Sequence, residues 1–206
     1  MRSLRVLLAK NNAVLAGGTA LALVLGHRMS ADLDFFTVDD FNNERVIAGI
    51  KKTGIPFHVL SEGEGFLIAE VGGIKASLLR YEYPFLEKPL PFMGVLIAGV
   101  LDIASMKVVA VSQRGTKRDF VDLYFVLQDV PFHKIAEQMV ARFGRERINP
   151  VHIGKSLVYF SDAESHPEPE YVKGREVSWT RVKDFFRHHA KQFTLDLDAA
   201  LKKSET

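Results

Sequence analysis

The 206-residue chain contains no cysteine, and this absence excludes several kinds of site. The protein cannot form a disulfide framework, use a thiolate as a nucleophile, or bind zinc or an iron–sulfur cluster through cysteine. It also lacks an apolar run of the roughly 20 residues that a membrane-spanning helix needs. Because a chain without cysteine suits a reducing compartment, we expect a cytoplasmic protein without a membrane partner.

The chain also lacks a strong charge imbalance and a convincing export signal. Its formal net charge of +2 does not indicate a nucleic-acid binder by itself, although a local basic groove stays open. Arg2 and Arg5 precede apolar residues, as in a signal peptide, but Lys10, Asn11 and Asn12 interrupt that apolar region. We therefore do not expect secretion.

Strand patterns occupy the first half of the chain and helix patterns the second. Strands are predicted over Ala13–Ala16, Asp32–Phe36, Pro56–Leu60, Phe66–Val71 and Ile74–Tyr81, and Val95–Ile97 fits either a strand or a helix start. Helices are predicted over Arg2–Lys10, Thr19–Gly26, Asp40–Gly54, Leu101–Ser112, Arg118–Gln128, Phe132–Phe143, Pro150–Phe160 and Glu176–Phe193, with fraying after Ala200. Glu82–Pro91 and Ser161–Arg175 are interpreted as connectors. This order predicts an α+β fold, with a small mixed sheet and flanking helices over 1–94 and a mostly helical region over 95–206.

One stretch near the N-terminus combines a Gly-Gly pair with two closely spaced aspartates. On a strand, Asp32 and Asp34 would project from one face, where their charges repel unless a divalent cation lies between them. Mg²⁺ takes one or two carboxylates together with substrate phosphates. A turn at Gly17 and Gly18, followed by a helix near Thr19, would offer backbone N–H groups to those phosphates. Each feature alone is usually a plain turn or a solvated edge, but together they predict a nucleotide site.

The loop between these two features adds two further candidates. Arg28 could bind phosphate, and Ser30 could contact the nucleotide or orient the loop that leads to the aspartates.

A second block of candidates lies on two predicted helices. Lys107 is flanked by apolar residues, so it either extends its ammonium to water or points to a triphosphate. Asp119 and Asp122 are three residues apart and share a helix face. Arg118 could bind phosphate, or it could form a structural ion pair with Asp119. Tyr124 could stack on a base, although packing in the core is the simpler interpretation.

Together these blocks resemble the AbiEii/AbiGii toxin family of nucleotidyltransferases, within the DNA-polymerase-β-like superfamily. The first block is GGT at 17–19 with GHRMSADLDFF at 26–36, and the second runs from Met106-Lys107 to RDFVDLY at 118–124. The resemblance implies a nucleotidyltransferase-like core and a helical region that completes the active-site cleft. It implies catalytic roles for Asp32, Asp34, Lys107, Asp119 and Asp122, and nucleotide binding by Gly17, Gly18, Thr19, Arg28, Ser30, Lys107 and Arg118.

The resemblance also implies substrates and partners. A nucleoside triphosphate would bind with Mg²⁺ or Mn²⁺ held by Asp32 and Asp34. The acceptor hydroxyl would belong to RNA, such as the 3′ end of a tRNA, and the protein would be a toxin with a cognate antitoxin.

One position departs from the superfamily pattern, in which a later strand commonly carries a third carboxylate. The corresponding predicted strand offers Lys75 and Ser77 but no acid. Glu70, Asp119 or Asp122 could substitute. The gap motivates one alternative, a degenerate enzyme that binds nucleotide or RNA without turnover. A further alternative is a nucleotidyltransferase that acts on a small molecule or a protein.

Overall fold

The computed structural model describes residues 4–204, which divide into two compact units. The first unit comprises residues 4–20 and 30–99, and the second comprises residues 21–29 and 100–204. A short early segment, residues 21–29, therefore belongs with the C-terminal helices.

The strands and helices alternate early, and all seven strands of the described residues 4–204 precede residue 100. The strands are β1 (Val14–Ala16), β2 (Leu33–Thr37), β3 (Phe57–Gly63), β4 (Phe66–Val71), β5 (Ile74–Arg80), β6 (Leu90–Phe92) and β7 (Val95–Ile97). The helices are α1 (Arg5–Lys10), α2 (Gly17–Leu25), α3 (Asn43–Lys51), α4 (Val100–Gln113), α5 (Lys117–Asp129), α6 (Phe132–Phe143), α7 (Pro150–Ser156), α8 (Ser161–Glu164) and α9 (Trp179–Lys203). A single 3-10 turn follows α6 at Arg145–Arg147.

The strands of the first unit form one seven-stranded mixed sheet in the order β3-β4-β5-β2-β1-β7-β6. β2 pairs antiparallel with β1 and parallel with β5, so Asp34 lies between Ala16 and Ser77. Because side chains alternate along a strand, Phe35 and its neighbour Leu78 face the other side. Side chains of α1 and α3 line a small apolar cavity with these two residues, so both helices cover that side of the sheet.

The second unit is a helical assembly built around aromatic side chains. Phe120 on α5 is fully buried, and its ring lies 5.1 Å from Phe160, 5.3 Å from Phe186 and 5.8 Å from Trp179 between centroids. Such clustered rings bury a large apolar area and prefer tilted or edge-to-face arrangements. Within residues 4–204, no helix is long and apolar enough to span a membrane.

The predicted α+β class with a mixed sheet is confirmed. The alternative left open at Val95–Ile97 resolves as a strand, because this segment pairs with both β1 and β6. The predicted connector Glu82–Pro91 contains the start of β6. Pro91 is tolerated there since β6 is an edge strand, where one side of the backbone needs no donor. The start of the predicted helix at Arg2 lies outside the described residues.

Several predicted boundaries are wrong. The last helix was predicted over Glu176–Phe193 with fraying after Ala200, but α9 continues to Lys203 because Leu197 and Ala200 prolong its buried stripe. Residues 205–206 lie outside the described part. The connector predicted over Ser161–Arg175 contains the short helix α8, and the helix predicted to reach Phe160 ends four residues earlier as α7.

Candidate active site

The first unit places a carboxylate directly beside the start of a helix. Gly17 joins β1 to α2 without an intervening residue and has a φ of +70°. A Cβ on Gly17 would lie 3.4 Å from Asp34 Oδ2, so glycine both suits the left-handed backbone and leaves the space beside this carboxylate open. The sharp turn predicted here is present in the left-handed backbone of Gly17, but the helix predicted from Thr19 already begins at Gly17. Their N–H groups, with that of Thr19, have no partner within the helix and suit an anion.

The first aspartate of the pair precedes the strand on which it was predicted. Asp32 is exposed and lies one residue before β2, whereas Asp34 is half-buried on β2. Thr19 holds the preceding loop, because its hydroxyl is 2.8 Å from Ser30 Oγ and also donates to the Asp32 carbonyl oxygen. Ser30 therefore occupies the position of a loop-orienting residue.

The described residues of the first unit leave the aspartate pair without compensation. Neither the Asp32 nor the Asp34 carboxylate forms a hydrogen bond or ion pair within residues 4–20 and 30–99. Two carboxylates that are two residues apart in the chain and have no protein donor can share a cation. Residues 4–204 contain no group of three or more His, Asp or Glu side chains that could hold a metal ion. The pair nevertheless fits Mg²⁺ or Mn²⁺ bound together with phosphate oxygens, since such an ion needs only one or two carboxylates from the protein.

Glu70, one of the acids that could replace the missing third carboxylate, does not lie beside Asp34. Glu70 on β4 pairs in register with Lys75 on β5, and β5 in turn pairs with β2. Two strand spacings separate Glu70 from the strand of Asp34, about 10 Å across the sheet. Ser77 is the residue beside Asp34, and it is buried.

The second unit contains a charged cluster, which we define as Arg28, Lys107, Asp119 and Asp122. Lys107 Nζ lies 2.8 Å from Asp119 Oδ1 and 2.7 Å from Asp122 Oδ2. Arg28 donates to Asp122 through Nε at 2.7 Å and through Nη2 at 2.9 Å. All four side chains are buried, and the two positive and two negative charges balance. Such mutual neutralisation is what allows charged groups to remain in a protein interior.

Two neighbours complete the hydrogen bonding of the charged cluster. Thr116 caps α5 by accepting from the Asp119 N–H, and its hydroxyl donates to Asp119 Oδ2 at 2.6 Å. His27 Nε2 lies 2.8 Å from Asp122 Oδ1 and is fully buried. Because an ionised carboxylate can only accept, Nε2 carries the hydrogen. Sequence patterns indicated only a structural role for His27, and its only signal was its position beside Arg28.

The environment keeps both aspartates of the charged cluster ionised. Burial opposes ionisation of Asp122, but the charge of Lys107 and hydrogen bonds from His27 and Arg28 outweigh it, so the pKa of Asp122 lies well below its usual range. Burial likewise opposes ionisation of Asp119, but Lys107 and Thr116 lower the pKa of that carboxyl. Burial disfavours the Lys107 ammonium, yet Asp122 and Asp119 raise the pKa of Lys107 above its usual value. None of these groups is poised to exchange a proton near neutral pH.

A strap formed by residues 168–175 fixes the segment that carries Arg28. The Met29 N–H donates to the Glu170 carbonyl at 2.7 Å, and the Val172 N–H donates to the His27 carbonyl at 3.2 Å. These bonds flank an antiparallel bridge between Arg28 and Tyr171. The sequence predicted only an acidic connector here, because a lone bridge leaves no periodic pattern.

The remaining candidates of the second unit differ in exposure. Arg118 is exposed at the start of α5, and the partners of Asp119 are Lys107, Arg114 and Thr116 instead. Tyr124 is buried against Phe185, with ring centroids 5.2 Å apart, as expected for a packing residue.

Comparison with known structures identifies the fold. A Helicobacter pylori protein described as a nucleotidyltransferase superposes with a TM-score of 0.60 at 19% identity, covering 97% of this chain and 93% of that chain. MenT4, a nucleotidyltransferase toxin of Mycobacterium tuberculosis, superposes with a TM-score of 0.57 at 17% identity, covering 98% of this chain and 89% of its own. The fold is therefore that of a nucleotidyltransferase.

Sequence comparison identifies the family. A protein of Aquifex aeolicus strain VF5, described as uncharacterized, is 39% identical over 191 residues, which cover 89% of this chain and 88% of that protein. The family model for the AbiEii nucleotidyl transferase toxin of type IV toxin–antitoxin systems matches residues 2–81 and 68–203. The chain belongs to the AbiEii toxin family and is a nucleotidyltransferase.

Proposed function

We propose that the protein transfers a nucleotide from a Mg²⁺-bound nucleoside triphosphate to a hydroxyl of RNA, such as a tRNA 3′ end. We further propose that this activity makes it a toxin restrained by a cognate antitoxin. The observation that carries the chemistry is the uncompensated Asp32 and Asp34 pair beside the N-terminus of α2. The family description supports the toxin role, and the resemblance of the sequence motifs supports the RNA acceptor.

In this proposal the first unit holds the reacting phosphates. The acceptor oxygen forms a bond to the α-phosphorus, the bond to the bridging oxygen breaks, pyrophosphate leaves, and the hydroxyl proton passes to solvent. Asp32 and Asp34 would hold Mg²⁺ or Mn²⁺, which when bound neutralises charge on the phosphates. The N–H groups of Gly17, Gly18 and Thr19 would bind phosphate oxygens, since a helix N-terminus attracts anions.

In the second unit, two of the residues that the sequence assigned to phosphate binding, Arg28 and Lys107, are already held in ion pairs. Arg28 and Lys107 already satisfy Asp119 and Asp122, so they can reach a phosphate only after exchanging those ion pairs. Through Arg28 and the strap, the charged cluster fixes the residues that immediately precede Ser30. Arg118 is exposed and can meet a phosphate without such an exchange.

The test is incubation with each labelled ribonucleoside triphosphate, Mg²⁺ and total RNA. We expect label on RNA with the wild type and at least a hundredfold less with Asp34→Asn, which keeps the shape of the side chain and removes its charge. Glu62→Gln is the matched control, because it makes the same kind of change at an exposed position of β3. Equal labelling by wild type and Asp34→Asn would contradict the proposal.

The same assay distinguishes the alternatives. Magnesium-dependent nucleotide binding without transfer to any acceptor would favour a degenerate enzyme, which the serine at position 77 also motivates. Transfer to a small molecule or protein but not to RNA would retain the chemistry and change the acceptor. The toxin role would be supported if expression of the wild type arrests growth and expression of the Asp34→Asn variant does not.

A further inference from the structure

Ser77 occupies the position next to Asp34 on the neighbouring parallel strand. The register pairs Asp34 with Ser77 directly, and paired residues of adjacent strands project from the same face of the sheet. A carboxylate at position 77 would therefore lie beside that of Asp34. Two divalent ions in phosphoryl-transfer sites lie about 3.5–4 Å apart and need shared carboxylates of this kind. The serine hydroxyl carries no charge to hold a second ion.

Within residues 4–20 and 30–99, no third acid joins Asp32 and Asp34 in a group that could hold a metal ion. Glu70 shares the face of the sheet with Asp34 but lies two strands away, paired with Lys75. Its strand lies about 10 Å from the strand of Asp34, and Ile68 rather than Glu70 is the residue in register with Ser77, so Glu70 is displaced from Asp34 both across and along the sheet.

The acids of the charged cluster are also committed within the second unit. Asp122 Oδ1 accepts from Arg28 and His27, and Asp122 Oδ2 lies within 2.9 Å of both Arg28 and Lys107. Asp119 Oδ1 binds Lys107, and Asp119 Oδ2 accepts from Thr116. Every carboxylate oxygen of the charged cluster thus already accepts from a protein donor, so a metal ion there would have to compete with Lys107, Arg28 or Thr116.

We infer that Ser77 limits the site to a single divalent ion, held by Asp32 and Asp34 and shared with the substrate phosphates. This inference rests on the proposed function and adds a stoichiometry to it. It makes Ser77 a residue that sets the metal requirement of the site, because an aspartate there would supply the missing ligand.

The experiment counts bound Mn²⁺ in the full chain by calorimetry and by the electron paramagnetic resonance signal of free Mn²⁺. Each titration contains a saturating α,β-imido analogue of one of the four ribonucleoside triphosphates, so no turnover interferes. Ser77→Asp introduces the carboxylate, and Ser77→Asn is the matched control of equal size without the charge. We expect one Mn²⁺ per chain for wild type and Ser77→Asn, and two for Ser77→Asp.

Thermal unfolding supplies an independent readout. In EDTA, Ser77→Asp should melt below Ser77→Asn because a third carboxylate repels Asp32 and Asp34, and Mn²⁺ should restore most of that difference. Two ions in the wild type would overturn the inference, even if Ser77→Asp failed to fold. One ion in a folded Ser77→Asp protein would also overturn it. Unchanged Mn²⁺ binding in Asp34→Asn would instead contradict the proposed metal site itself.

Discussion

Replacing Lys107 by methionine removes the cation shared by two buried aspartates while keeping an unbranched side chain that is one heavy atom shorter. The ammonium lies 2.8 Å from Asp119 Oδ1 and 2.7 Å from Asp122 Oδ2, and only 9% of the Lys107 side chain is exposed. Removing one partner of a buried ion pair costs about 3–5 kcal/mol, because the other charge is left uncompensated. Since Asp122 keeps Arg28, we expect Lys107→Met to lose about 3 kcal/mol of unfolding free energy.

The single tryptophan makes this loss measurable in the unit where it occurs. Trp179 packs against Phe120 at 5.8 Å between centroids, so its fluorescence follows unfolding of the second unit in urea. The matched control is Lys203→Met, because Lys203 Nζ also lies 2.8 Å from a carboxylate oxygen, that of Glu137. These two side chains are 72% and 45% exposed, so the control should lose no more than about 1 kcal/mol.

A loss in Lys107→Met no larger than in Lys203→Met would refute the view that charge balance holds the charged cluster together. The assay also separates structure from chemistry. A Lys107→Met protein that unfolds at the wild-type urea concentration but has lost nucleotide transfer would support the sequence-based assignment of Lys107 to the triphosphate.

Three further outcomes follow from the geometry. The free energy of unfolding should fall as pH drops below about 4, because the unfolded chain takes up protons on Asp119 and Asp122 at pH values where the folded protein keeps them ionised. An acid titration followed by tryptophan fluorescence measures this, and stability that stays constant between pH 5 and pH 2 would contradict it. Gly17→Ala should lower the free energy of unfolding by about 1–2 kcal/mol because of its left-handed backbone, and it should also reduce Mn²⁺ binding beside Asp34. The control Gly73→Ala, at a φ of +79° with open space around it, should lose a similar amount of stability without affecting Mn²⁺ binding. Equal Mn²⁺ binding by both variants would rule out a role for the open space at Gly17. Tyr171→Phe should change the free energy of unfolding by less than about 0.5 kcal/mol or increase it, because the buried Tyr171 hydroxyl has no hydrogen-bond partner among residues 4–204. The substitution also removes a phenol whose pKa is raised to about 12 by burial and by the charge of Glu168. A loss of stability above about 1 kcal/mol would mean that the hydroxyl does form a hydrogen bond.

Local sequence patterns predicted much of the secondary structure correctly. The strand-like run Phe66–Val71, bounded by glycines, predicted β4 with its observed bounds, and an amphipathic helix pattern predicted α6 in the same way. Turn residues and periodicity are local signals, so they can be interpreted without knowing which elements a segment packs against. Boundaries failed where a distant partner decided them, as in the last turns of α9, whose burial depends on packing against α6.

The sequence by itself indicated the class of protein and predicted the chemistry of its first half. The Gly17-Gly18 pair and the spacing of Asp32 and Asp34 are local features, and they pointed to a metal-dependent nucleotide site before any partner was known. Their meaning follows from side-chain chemistry and chain geometry within about twenty residues.

Tertiary structure alone decided how the other charges are used. Arg28 and Asp122 are 94 residues apart in the chain, and no periodicity links them, yet they share a buried pair of hydrogen bonds. The register of β2 against β5, which places Ser77 beside Asp34, is likewise a long-range choice made by burial of the opposite face. Sequence identifies which residues can carry charge or bind a metal, whereas packing decides which of them neutralise one another and which remain available.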